Sequence, residues 1–123
     1  LFSNSIDIAK YIPFLTNKGF YAGQRFISSE RIDEFISTQT SLSGRGLGFD
    51  KKSRSGFSSA GTLMSPDTFG HTGFTGTSFW VDPKHNLGVI ILTNRVYPYR
   101  SFGRRIGSIR AAVADAAYES ISK

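Results

Sequence analysis

The sequence contains no cysteine, which excludes disulfides and thiolate metal sites but leaves the compartment open. No apolar run approaches the roughly 20 residues that a membrane-spanning helix needs. The longest is LGVIIL, Leu87 to Leu92. Methionine occurs once, at Met64, and the chain opens at Leu1 with a helical pattern and no leader, so it reads as a fragment or a processed piece. With the true start missing, the lack of a signal peptide says little. Acidic residues are scarce, 9 against 15 lysines and arginines, for a net charge of +6. That excess raises the question of nucleic acid. The basic residues fall in two groups, Arg45, Lys51, Lys52 and Arg54, then Arg95, Arg100, Arg104, Arg105 and Arg110. A solvated basic face is the simpler reading, because charge clusters alone are weak evidence. No internal repeat is present.

What is present suits one domain or part of one: 123 residues, 39% hydrophobic and 14% aromatic, enough to pack a core. Asn4 followed by Asp7 has the form of a capping box, and Ile8, Tyr11, Ile12 and Leu15 keep helical spacing. A helix is therefore expected to end near Gly19, kinked or weakened at Pro13, which lacks an amide hydrogen. FYAGQRFIS reads as an extended link. Ser28 then caps a short helix with a buried stripe of Ile32, Phe35 and Ile36. The Ser/Gly-rich segment from Thr38 to Gly44 breaks that pattern. RGLGFD, Arg45 to Asp50, reads as a short strand, and Lys51 to Asp67 as a long polar loop. Three strands are expected over about Thr68 to Phe74, Thr77 to Asp82 and Leu87 to Asn94, joined as antiparallel hairpins. DPKHN has tight-turn chemistry. The nearly continuous apolar LGVIILTN predicts a strand covered on both faces. Ile106, Ile109, Val113, Ala116, Ala117 and Ile121 trace one face of a last helix, expected to lie across the sheet.

Within this order, FGHTGFTGTSFW, Phe69 to Trp80, surrounds one histidine with glycine, serine and threonine. Two readings compete. Either it is a close turn of a buried sheet, or it is a backbone edge kept bare so that a substrate can lie against it. GHTGFTGTSFWVDPKHNLGVIILTNR, Gly70 to Arg95, resembles the C-terminal strand hairpin of the serine β-lactamase and penicillin-binding protein superfamily, especially its class C-like β-lactamases, DD-peptidases and esterases. LFSNSIDIAKY resembles the helix start after that family's active-site region, and GLGF the strand before its third motif. The resemblance covers most of the chain but less than half of a family domain. It implies an α+β fold: residues 1–123 as the C-terminal part of a β-lactamase/transpeptidase-like domain, with antiparallel strands flanked by helices.

The family's third motif is Lys-Thr-Gly or His-Thr-Gly on a sheet-edge strand beside the active site, and His71, Thr72 and Gly73 match it. The resemblance implies that His71 and Thr72 face the substrate and that Gly73 lets it approach. The backbone amide of Phe74 would then be the second oxyanion-hole donor, after the amide of the nucleophilic serine. An edge strand that binds an acyl group uses its own N–H and C=O groups, and bulky side chains would obstruct it. The implied activity is that of a serine hydrolase working through an acyl-enzyme, with no metal or cofactor. Its partners would be a β-lactam, D-alanyl peptide or small ester, together with the missing N-terminal part of the domain. An extracytoplasmic location is implied as well.

Plainer roles stand beside these. Taken alone, His71 would read as an ordinary strand histidine with a hydrogen-bond partner, a reading its context makes the lesser one, and His85 reads as an exposed turn residue. Trp80, Phe79 and the Phe74 ring read as core, Gly76 and Thr77 as a bend, and Arg95 as structural. The family's Ser-x-x-Lys and Tyr-x-Asn or Ser-x-Asn motifs are absent from their required places. SISK, YRS and YES lie after the third motif and read as coincidence, so the isolated chain is expected to be inactive. One alternative is a noncatalytic relative that binds peptide or carbohydrate. A remote one is RNA binding, from the spelling of RGLGFD; but Leu47 stands where an aromatic should stack, and the element order is not βαββαβ.

Overall fold

A computed structural model describes residues 2–40, 42–100 and 105–122. The first helix, α1, runs Ser5–Thr16, and the Asn4 side chain accepts from the Asp7 amide at its start. Pro13 does not end it. The proline sits in the last turn, where it removes one ladder bond, and the helix continues to Thr16. Lys18 and Gly19 then take positive φ, and the Gly19 amide closes back onto the Phe14 carbonyl at 2.8 Å.

FYAGQRFIS is a hairpin rather than an extended link. The strands β1 (Phe20–Tyr21) and β2 (Gln24–Arg25) pair across Ala22 and Gly23, both at positive φ. Two-residue hairpin loops favour that geometry, and alanine at the first position hid the signal that Asn-Gly would have given. The second helix, α2 (Ser29–Ile36), is capped by Ser28 as expected. Ile32 is buried and Ile36 packs on the core, but Phe35 is exposed.

Four strands form the main antiparallel sheet in the order β3–β4–β5–β6: Asp50–Lys51, Phe69–Thr72, Ser78–Asp82 and Leu87–Ile91. The RGLGFD strand is therefore displaced. Arg45 to Phe49 form a turn, with the Gly46 amide on the Phe49 carbonyl, and only Asp50 enters the sheet. Strand alternation gives the sheet two faces. On one, Phe69, Val81 and Phe79 pack with Leu15 of α1, Ile32 of α2 and Phe49. On the other, Trp80 and Val89 pack with Ala60 and Met64 of the long loop and with Ala114 of α3 (Ile106–Ile121). Strand β6 lies between α1 and α3, with Gly88 against Ile12 and Val89 in the cluster that holds Ala114. Burying each large side chain in these clusters contributes about 1.5–3 kcal/mol.

The last helix lies against the sheet but is rotated from its expected face. Arg110 and Ala114 are buried, while Ile109, Val113 and Ile121 are exposed. Small alanines allow close approach to the sheet, and Arg110 has carbonyl partners there. Hydrophobic spacing alone is blind to an inward-facing arginine.

The fully buried Asp82 joins three segments. Its carboxylate accepts from the Ser65 amide and hydroxyl at 2.7 and 2.6 Å, from the Lys84 amide and from His85 Nδ1 at 2.7 Å. His85 is thus partly buried rather than a free turn residue, and its ring meets Tyr118 of α3 edge to face. Burial pushes the Asp82 pKa up, but the hydrogen bonds from Ser65 and His85 outweigh it and hold the group below the ordinary aspartate value. A depressed folded-state pKa contributes stability above the unfolded value of about 3.9, and that contribution is lost as pH falls through the lower folded value. Asp82→Asn is predicted to cost about 1.5–3 kcal/mol at pH 7 and to flatten the loss of stability below about pH 4. Urea unfolding of both proteins at pH 7 and pH 3 measures this; identical acid dependence would count against it.

Candidate functional site

The sheet leaves part of one strand uncovered. β3 pairs only with Phe69 and Gly70 of β4, whereas β5 pairs with β4 along its whole length, through His71 and Thr72. Just before β3 the chain turns away: the Leu47 amide goes to the Phe35 carbonyl, the Gly46 amide to that of Phe49, and Gly48 takes positive φ. The outer edge of β4 is therefore bare from His71 onward among the described residues. It is the arrangement that strand addition requires.

Beyond Thr72 the chain turns through Gly73, Phe74, Thr75 and Gly76 into β5. Its carbonyls are taken. Arg110 of α3 donates to the carbonyls of Gly73 and Thr77, each at 2.9 Å, and to that of Gly76 at 3.3 Å. Arg95 donates through Nε to the Phe74 carbonyl at 2.5 Å and through its amide to Thr75 at 2.8 Å. Its guanidinium also lies over the Phe74 ring. By contrast, the amides of Phe74 and Thr75 have no acceptor among the described residues, and that of Phe74 follows directly on Gly73. The ring is 56% exposed, so it is not a core side chain.

His71, Thr72 and Gly73 line an open cleft of about 630 Å³ with Ile8, Phe79 and Leu92. His71 lies on the α1 face of the sheet, since it pairs with Phe79, and Thr72 lies on the opposite face with Ser78 and Trp80. The His71 ring has two partners: Nδ1 faces its neighbour's carbonyl, Thr72 O, at 3.0 Å, and Nε2 faces an Arg45 guanidinium nitrogen at 3.3 Å. A Cβ on Gly73 would collide with Thr77 Oγ1, and one on Gly70 with the Phe79 carbonyl. The hairpin itself therefore needs glycine at Gly70, where the obstacle is backbone, whereas at Gly73 the obstacle is the Thr77 hydroxyl alone.

Sequence reading picked out the strand but missed its supports. In the sequence Arg110 and Arg45 register only as basic residues, and nothing there names a partner for Arg95. An arginine at an inward helical position is the one signal that could have marked Arg110. The Ser120 hydroxyl of SISK donates to the Ala117 carbonyl within α3, and Lys123 of SISK and Ser101 of YRS lie outside the described residues. Ser65, Asp82 and His85 do not form a nucleophilic triad, because both Ser65 and His85 bond to the carboxylate and not to each other.

The chain is 34% identical over 96 residues to a protein of Escherichia coli O157:H7 named "Putative D-alanyl-D-alanine carboxypeptidase", covering 77% of this chain and 22% of that one. A protein of the same name from Salmonella agona is 32% identical over the same length, with the same coverage. The fold matches a β-lactamase from Mycobacterium bovis with a TM-score of 0.74 at 23% identity, over 98% of this chain and 45% of that one. The chain thus spans about a fifth of the curated relatives it matches. Residues 1–114 match the family model Beta-lactamase, and the chain belongs to that family.

Proposed function

We propose that this chain supplies the substrate-binding edge strand and one oxyanion donor of a serine hydrolase that works through an acyl-enzyme. The observation that carries the reading is the turn after β4. Its carbonyls are held by Arg95 and Arg110, while the Phe74 N–H, at the end of a bare strand edge, has no acceptor among the described residues. A preorganised donor of this kind stabilises charge that appears only in the transition state.

In the proposed reaction a serine oxygen attacks the substrate carbonyl and its proton passes to a base. The carbonyl oxygen becomes an oxyanion, stabilised by the Phe74 amide and the serine's own amide. The bond to the leaving group then breaks as that group takes up a proton, and water later cleaves the acyl-enzyme. His71 and Thr72 orient the substrate. The serine and its base are assigned to sequence outside this chain. In support, the chain matches 45% of the M. bovis β-lactamase, β6 closes one side of the sheet among the described strands, and α3 carries exposed Ile109, Val113 and Ile121. The relatives' names make D-alanyl peptides the first substrates to test, with β-lactams and small esters next. An extracytoplasmic site of action is proposed with them.

Three measurements test the reading. In the full-length protein, Phe74→Pro removes the amide and is expected to slow acylation by about 100- to 1,000-fold, whereas Phe74→Ala keeps it and stays near wild type. Equal rates in the two variants would remove Phe74 from the site. His71→Ala is expected to lower acylation by roughly 10- to 1,000-fold with the fold intact. Gly73→Ala should lose stability as well as activity because of Thr77. Adding Thr77→Ala should restore stability alone if substrate also needs the space, and recovery of both would make Gly73 purely structural.

The isolated chain is predicted to show no labelling by a fluorescent penicillin, and to copurify with the remainder of its protein when the two are coexpressed. An unpartnered sheet edge such as β6 otherwise favours aggregation. Labelling of the isolated chain at Ser120 would contradict the assignment of the nucleophile. A full-length protein that binds D-alanyl peptide without turnover would favour the noncatalytic alternative.

A further inference from the structure

Arg45 sits outside the His-Thr-Gly strand, yet its side chain reaches it. One guanidinium nitrogen meets Asp50 of β3 at 2.5 Å, and the other meets His71 Nε2 at 3.3 Å. The backbone beneath it is pinned. The Arg45 carbonyl accepts from the Gln39 amide at 2.9 Å, and the next amide, of Gly46, bonds to Phe49. Gly46 leaves no room for a side chain, since a Cβ there would collide with the Phe35 carbonyl. Arg45 is thus a long side chain on a fixed base, steadied by a carboxylate from the neighbouring strand. About half of it remains exposed, 51% against 22% for Asp50.

Its two contacts determine more than distance. A carbonyl can only accept, so the proton on the His71 ring must sit on Nδ1 to bond Thr72 O. A guanidinium can only donate, so Nε2 must be bare to meet Arg45. Both partners select the same neutral tautomer. An imidazole whose Nε2 lone pair is engaged by arginine is not available there to take a proton from a nucleophile. The cation beside the bare edge is then the Arg45 guanidinium. Among the described residues His71 is the one ionisable side chain lining its cleft, whose other walls include Phe2, Ile8, Phe79 and Leu92, while Arg45 lines the adjoining cleft with Asp50, Lys51 and Thr72 and reaches His71 from there.

The geometry points to Arg45 as a positioning residue of the proposed site: held by Asp50, it fixes His71 as the neutral Nδ1–H tautomer and sets a positive charge against the open edge of β4. This rests on the reading of β4 as the substrate strand. It makes His71 a spacer between a fixed cation and the strand.

The test uses the full-length protein with nitrogen-labelled histidine. Long-range proton–nitrogen spectra at neutral pH report which ring nitrogen of His71 carries the proton. The expected result is Nδ1–H in the wild type, lost or mixed in Arg45→Met and partly restored in Arg45→Lys, with Asp50→Asn in between. Acylation of Arg45→Met should fall about 10- to 100-fold, mainly in kcat, as for a misplaced group, while the unfolding midpoint holds. Nε2–H in the wild type, an unchanged tautomer in Arg45→Met, or undiminished acylation in that variant would each overturn the proposal. A wild-type protein that is never acylated would sink the proposed hydrolase instead, and the nitrogen spectra would still decide whether Arg45 sets the His71 tautomer.

Discussion

Arg110 reaches from α3 to the carbonyls of Gly73, Gly76 and Thr77, and the shape of the candidate site follows from that contact. A buried guanidinium is costly to desolvate, and burial together with nearby Arg95 holds its pKa below the ordinary arginine value. Carbonyl oxygens converging on it offset that cost, since hydrogen bonds to a charged group contribute about 1.5–3 kcal/mol each. The same contact fixes the rotation of α3 and the path of the turn. With Arg95 on the Phe74 carbonyl, the turn has little freedom to reorient the Phe74 amide.

A second constraint is where the sheet stops. Because Gly48 turns the chain and Leu47 bonds back to α2, β3 covers only the first half of β4. Had β3 continued toward Arg45, its backbone would have filled the edge that a substrate is proposed to use. The two supports divide the work: Arg110 shapes the turn from the helix side, and Arg45 approaches the edge from the β3 side. Neither belongs to the motif that made the strand recognisable.

Buried polar contacts also decide how the hairpin is tied to the rest of the chain. Asp82 gathers Ser65, Lys84 and His85, and His85 in turn touches Tyr118. Asp115 likewise receives the amides of Thr62 and Leu63, so a loop that reads as polar and open is drawn onto the second core, with Ala60 and Met64 buried. The bonds from Ser65 to Asp82 and from Thr62 and Leu63 to Asp115 span 17 to 53 positions. Local sequence patterns do not register them.

The sequence by itself determined what depends on neighbours along the chain: the Asn4 and Ser28 caps, the α+β class, the three hairpin strands to within a few residues, and the His-Thr-Gly strand as the place of interest. Each follows from local hydrogen bonding, alternation or motif spelling. Only the tertiary structure decided which face of α3 points inward, that RGLGFD is mostly a turn, that FYAGQRFIS folds on itself, and that Arg45, Arg95 and Arg110 serve as supports. Those outcomes depend on contacts between residues far apart in sequence. Arg110 lies 37 positions beyond Gly73, and a charged side chain takes its meaning from the partner it finds in space rather than from its neighbours in the chain.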